Sequence, residues 1–197
     1  MTPKKLTNKG IKRKLPIHMQ AIGPSSNERD NIDMTGAPLT RSQVLLLELI
    51  QGLGGKSDDK TKLAKLQYFS DFIHYAFHDK SISQPENLYE RRDYGPLSRQ
   101  FNEDLKALCK ADYLEKKGDY LYAAKNKKDY TPLTAKEKKT VNFVVSRYGK
   151  ASWGELVKIA HSQIPYLAAS GFGSVVEYFT AYNLIDEYPE YETFAHA

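Results

Sequence analysis

Between Arg41 and Gln51 the chain carries Val44, Leu45, Leu47, Leu49 and Ile50 in a single short run, and this run limits the possible folds more than any other feature. A helix apolar on nearly every side has to be enclosed by other elements. The fold must therefore build layers around residues 44–50. The run is interrupted by Glu48 and falls far short of the roughly 20 apolar residues that cross a bilayer, which excludes it as a membrane span. Gly52, Gly54 and Gly55 end it.

The elements that follow supply the enclosure. Asp58 or Asp59 is placed to cap a second helix reaching about His78, with Leu63, Leu66, Phe69, Ile73 and Phe77 recurring at spacings of three and four. After an extended stretch, Asn87 to Asp93, the tripeptide Tyr94-Gly95-Pro96 leads into a third helix expected from about Leu97 to Lys110. Gly95 supplies an unusual backbone angle there, and Pro96 fits a first helical turn. Tyr113 to Glu115 and Tyr120 to Tyr122 then face each other across a polar tetrapeptide as a β-hairpin. Three capping-box patterns, Thr134-x-x-Glu137, Ser152-x-x-Glu155 and Ser174-x-x-Glu177, predict helices over 134–148, 152–162 and 174–185. The expected fold class is mainly α: a compact bundle of about six helices with one small β-hairpin, partly winged-helix-like. The expected domains are a flexible basic arm at 1–40, the helical body at 41–185, and an acidic aromatic tail at 186–197.

Charge needs its location before it has meaning. The net charge is +5, but residues 1–14 hold six lysines and arginines and no acid, so the rest of the chain is close to neutral. That arm offers weak, non-specific contact with phosphate; nucleic acid is otherwise not expected as a partner. Residues 15–22 are broken by Pro16, His18 and Gln20 and do not read as a secretory signal. The single cysteine, Cys109, excludes an intramolecular disulfide and a multi-cysteine zinc site, and suits a reducing cytosol. A cytoplasmic protein is expected.

No constellation of reactive residues assembles. Gly52-Leu53-Gly54-Gly55-Lys56-Ser57 ends like a phosphate-binding loop, yet Ile50 stands where the first glycine belongs, and a helix precedes it. His74 and His78 have metal-ligand spacing on a helix, but Tyr75 occupies the place of a metalloprotease glutamate and no third ligand is near in sequence. They read as partly exposed histidines near a helix end. Gly171-Phe172-Gly173-Ser174 reads as a loop with an N-cap. Cys109 lacks a base partner, and the carboxylate pairs fall at helix ends or on polar faces. The expectation is a protein that is not an enzyme, with no cofactor and no metal.

Several blocks occur in a fixed order: Lys62-Leu63-Ala64-Lys65-Leu66-Gln67-Tyr68-Phe69, Tyr94-Gly95-Pro96-Leu97, Leu133-Thr134 opening a helix that ends Arg147-Tyr148-Gly149, and Trp153-Gly154-Glu155-Leu156 leading to His161. In this order they resemble the Panacea antitoxin domain, also known as the phage-associated protein family, over about residues 41–168. Pro165-Tyr166 stands where family members often place Pro-Trp. The resemblance implies an antitoxin that neutralises a cognate toxin by direct protein contact, or an adaptor that presents a toxin to an energy-dependent protease. Tyr94, Gly95, Pro96, Trp153, His161 and Tyr166 are the candidate partner-binding residues. The chain's 14 tyrosines agree with this, since tyrosine is enriched at interfaces. An alternative is a winged-helix-like DNA-binding regulator using the third helix, the hairpin and Lys116, Lys117, Lys125, Lys127 and Lys128, against which Glu103 and Asp104 would repel phosphate.

Overall fold

The computed structural model describes residues 38–83, 87–118, 121–125 and 129–196. The expected arm falls outside the described residues up to position 37, as do Lys127 and Lys128. Helix α1 (Arg41–Gly52) opens with a capping box between Thr40 and Gln43 and buries Val44 to Leu47, Leu49 and Ile50, as its apolar run requires. Gly54 and Gly55 take φ of +89° and +85°, which turns the chain into the short strand β1 (Lys56–Ser57). Helix α2 (Lys60–His78) begins where the Asp59 carboxylate accepts from the Lys62 amide at 2.8 Å.

Helix α2 is the axis of the molecule. The spacing of its large apolar residues predicts one buried stripe, but burial runs around the helix from Leu63 to His74, taking in Lys65, Gln67, Ser70 and Asp71, while Phe77 is only partly buried. The reason is enclosure: α1, α4, α5 and the 3-10 helix all pack on α2, so its polar positions are inside and need internal partners.

Helix α3 (Phe101–Lys110) leads into the hairpin of β4 (Leu114–Lys117) and β5 (Leu121–Ala124), and β1 joins its edge with Ser57 opposite Tyr122. The sequence α1, β1, α2, α3, β4, β5 with sheet order β1-β5-β4 is winged-helix-like. A second sheet, absent from the sequence expectation, interrupts that unit between α2 and α3. Its central strand β2 (Tyr89–Glu90) lies between β3 (Leu97–Ser98) and β6 (Val175–Val176). Leu97 and Ser98 are therefore strand, α3 starts only at Phe101, and Pro96 enters a strand rather than a helix, a position proline tolerates.

The boxes at Thr134 and Ser152 cap α4 (Ala135–Tyr148) and α5 (Trp153–Ser162) with both reciprocal hydrogen bonds. Pro165 sits in the first turn of a further short helix, α6 (Ile164–Ala168). The third box does not form. The Ser174 hydroxyl bonds back to Gly171, Val175 and Val176 pair with Glu90 and Tyr89, and the helix that follows is a 3-10 helix, Tyr178–Glu187. Two β-branched residues beside an open strand edge favour extended backbone, which carries Glu177 out of reach of a cap.

The described part of the expected tail, residues 186–196, does not stand apart from the body. Helix α7 (Pro189–His196) packs on α4, and Tyr188 and Tyr191 are each 1% exposed. The bundle thus has seven α-helices and a 3-10 helix among the described residues. No described helix is long and apolar enough to cross a membrane.

Candidate functional site

The loop joining β2 to β3 presents Tyr94-Gly95-Pro96, and buried hydrogen bonds hold that hairpin to α2. Asp71, fully buried, accepts from the Ser83 amide at 2.8 Å, the Ser83 hydroxyl at 2.5 Å and the Tyr89 hydroxyl at 2.7 Å. Burial pushes its carboxyl pKa up, and these donors oppose the shift. Asn87 lies at 3.5 Å from the same carboxylate and accepts from Ser98 across the hairpin. At the hairpin base Glu90 pairs with both Arg92 and Arg99, which hold its pKa down.

All six candidate residues meet at this loop. Gly95 has φ of +89°, and a Cβ there would meet the Lys65 Nζ at 3.2 Å, Ala160 at 3.3 Å and His161 at 3.5 Å. Glycine is required by backbone angle and by space together. Tyr94, 61% exposed, meets Trp153, 48% exposed, edge to face with centroids 6.0 Å apart. The His161 ring stacks on Tyr166 at 4.3 Å and 11°, and the Arg91 guanidinium covers the same Tyr166 ring at 4.4 Å. Arg91 is fixed by the Ala169 carbonyl at 2.6 Å, and the Tyr166 hydroxyl donates to the Arg92 carbonyl at 3.2 Å. Burial, with Lys65 and Arg91 nearby, lowers the His161 pKa. Pro96 offers its carbonyl to the Lys65 ammonium.

Below Tyr94 lies a groove of about 600 Å³, bounded by Asp59, Lys65, Arg92, Leu97, Phe101 and Trp153 among others. Lys65 is the residue that sequence reasoning left without a role. It is 2% exposed, and burial holds its pKa down to about 7. The available signal was a lysine one position from Leu66 in the middle of an apolar helix. Phe172, 66% exposed with the Arg92 guanidinium over its ring at 5.0 Å, adds a third open aromatic beside the groove.

The other singled-out residues have structural partners. His74 is 4% exposed rather than at the surface, because α4 and α7 close over that end of α2. Its Nδ1 lies 2.7 Å from the Thr140 hydroxyl, Thr140 lies 2.6 Å from the Tyr191 hydroxyl, and the His78 Nε2 lies 3.1 Å from that same hydroxyl. Burial lowers both histidine pKa values, that of His74 to about 4. Among the described residues no group of three or more His, Cys, Asp or Glu is placed to hold a metal ion. Cys109 is partly buried, and that burial raises its thiol pKa. On α3, Asp104 turns inward to accept from Ser42 at 2.5 Å and Gln43 at 3.2 Å, and only Glu103 faces solvent, paired with Lys106 at 2.7 Å.

Against this geometry, residues 63–165 match the family described as antitoxin SocA-like, Panacea domain. The chain belongs to that family. The matched span opens at Leu63 on α2 and closes at Pro165 on α6, and so contains α3, the wing, the Tyr94-Gly95-Pro96 loop, Trp153 and His161. Family membership supports an antitoxin role in general, with a toxin as the general class of partner. No curated protein and no solved structure matches the chain.

Proposed function

We propose that this Panacea-domain protein is a non-enzymatic antitoxin that neutralises its cognate toxin by direct contact through the face around Tyr94 and Trp153. The observation that carries the reading is the exposure of these two aromatic rings, and of Phe172, beside a groove whose supporting loop is locked from beneath by Asp71 and Asn87. Rigidly held, exposed aromatics are the residue type that dominates interface energetics. Tyr148, Tyr188 and Tyr191, between α4 and α7, are engaged inside the fold, whereas Tyr94 is open to a partner.

Co-expression with the product of the adjacent gene tests this. Wild-type protein should rescue growth, and Trp153→Ala with Tyr94→Ala should lose the rescue while staying folded. A neighbour that is harmless alone, or rescue that survives both substitutions, refutes the reading. Occlusion of the toxin predicts a stable complex in about one-to-one ratio. Delivery to a protease instead predicts that toxin levels fall when the protein is present.

The winged-helix order of α1, β1, α2, α3, β4 and β5 favours a second reading, DNA binding through α3 and the wing, since the inward turn of Asp104 removes one of two acids from that helix. An electrophoretic shift on promoter DNA at low salt is its test, and no shift there removes it.

A further inference from the structure

We propose that the open face of the 3-10 helix is a second docking surface, which receives an amphipathic α-helix of the toxin carrying basic residues at both ends. This rests on the antitoxin reading and adds a contact made by residues other than Tyr94 and Trp153. A 3-10 helix stacks side chains three positions apart directly above one another, and over Tyr178–Glu187 this separates an inner row from an outer one. In the inner row Ala181 and Leu184 are fully buried, and Tyr178 stacks on Phe72 and Tyr75 with centroids 4.8 and 5.3 Å away. In the outer row Phe179, Tyr182 and Ile185 are 63%, 45% and 39% exposed. They form one line, and contiguous apolar surface left open in this way marks an interaction site.

Charge names the occupant. Exposed acids bracket the ridge, Glu177 before it and Asp186 after it, and neither has an ion-pair partner among the described residues. Glu187, next to Asp186, accepts from Gln163 at 3.1 Å. The 3-10 helix itself has no lysine or arginine, and of the two helices packed on it, α6 has no charged residue. The end of α2 adds Asp79, which accepts from the Tyr182 hydroxyl at 2.6 Å, and Lys80, so these two cancel. The border of the ridge therefore carries an excess of acid. A second copy of this chain would set acid against acid, and an anionic lipid surface would be repelled as well. An apolar strip with a cation at each end is the complement. At about 2.0 Å per residue the ridge is about 12 Å long, which an α-helix spans in about eight residues at about 1.5 Å each. The partner helix thus presents apolar residues at positions i, i+4 and i+7 or i+8.

Hydrogen exchange on the purified complex with the neighbour-encoded toxin tests this, together with affinities of two variants. The expected result is protection of residues 178–187 on binding, and protection in the toxin of a helix with that apolar spacing and Lys or Arg at its ends. Phe179→Ser with Ile185→Ser should lose at least tenfold in toxin affinity. Glu177→Gln with Asp186→Asn should lose about threefold or more at low salt, and less at high salt. Both should keep the wild-type melting temperature. Should the apolar variant fail to fold, the charge variant and exchange on the wild-type complex decide. A complex that leaves 178–187 unprotected and binds both variants normally overturns the inference while leaving the antitoxin reading to Trp153→Ala with Tyr94→Ala. A loss in the apolar variant alone also overturns it, because the basic ends are what name the partner. Protection of 178–187 already present without toxin gives the ridge to this chain or to a second copy and overturns it too. Absence of any complex removes both.

Discussion

Two regions of this molecule are built from the same residue types and end in opposite states. Around α4 and α7, Tyr148 donates to Tyr188 at 2.8 Å, Gln163 donates to Tyr188 at 2.6 Å, and Tyr191 sits between Thr140 and His78. The rings of Tyr188 and Tyr191 pack edge-on against Phe143 at 6.1 and 5.1 Å. Around the β2–β3 loop, Tyr94 and Trp153 have each other and solvent, and Lys65 beneath them has a carbonyl and no acid. Tyrosine content therefore does not distinguish core from interface. The distinction lies in whether other elements of the chain close over the rings: Tyr188 and Tyr191 are 1% exposed, Tyr94 61%.

The largest expected effect breaks the closed region. Tyr188→Ala should cost about 3–5 kcal/mol, the usual loss for truncating a large buried ring, measured by chemical denaturation. A loss under about 1 kcal/mol would return residues 186–197 to the status of a tail.

Acid should act on the same region. His74 has a folded pKa of about 4, below its unfolded value of about 6.5. The unfolded chain binds the proton first, so the stability His74 contributes is complete above pH 6.5 and is lost as pH falls toward 4. The slope approaches about 1.4 kcal/mol per pH unit within that window. The raised pKa values of Asp71 and Asp104 act in the opposite sense, so the informative quantity is the difference between wild type and His74→Gln. Parallel stability curves for the two across pH 4–6.5 would show that His74 is not held neutral.

Gly95→Ala sharpens the comparison at the boundary between folding and function. The positive φ and the 3.2 Å approach to Lys65 predict a loss of about 1–3 kcal/mol, together with displacement of the Tyr94 loop and weaker toxin binding. Unchanged stability would mean that the loop adjusts freely. The smallest stability effect is expected in the open region: Trp153→Ala should stay within about 0.5 kcal/mol of wild type, while toxin affinity falls about tenfold or more. A large loss of stability with normal affinity would reverse the assignment of the two regions.

Sequence by itself determined the helical scaffold of this protein. The apolar run at residues 44–50, the caps at Asp59, Thr134 and Ser152, and the hairpin after α3 are local signals, because each depends on residues within one or two turns. The ordered blocks likewise made the family legible. Tertiary structure decided everything that depends on a distant partner. Val175 and Val176 became a strand because Tyr89 and Glu90 offered an edge, Tyr188 and Tyr191 became core because Phe143 and Tyr148 lay opposite, and the inner face of α2 took in Lys65 because helices closed around it. A lysine in an apolar helix reads the same in sequence whether it reaches solvent or is enclosed. Only the packing of the β2–β3 loop over α2 determines that Lys65 is a buried amine beneath an open pair of aromatic rings.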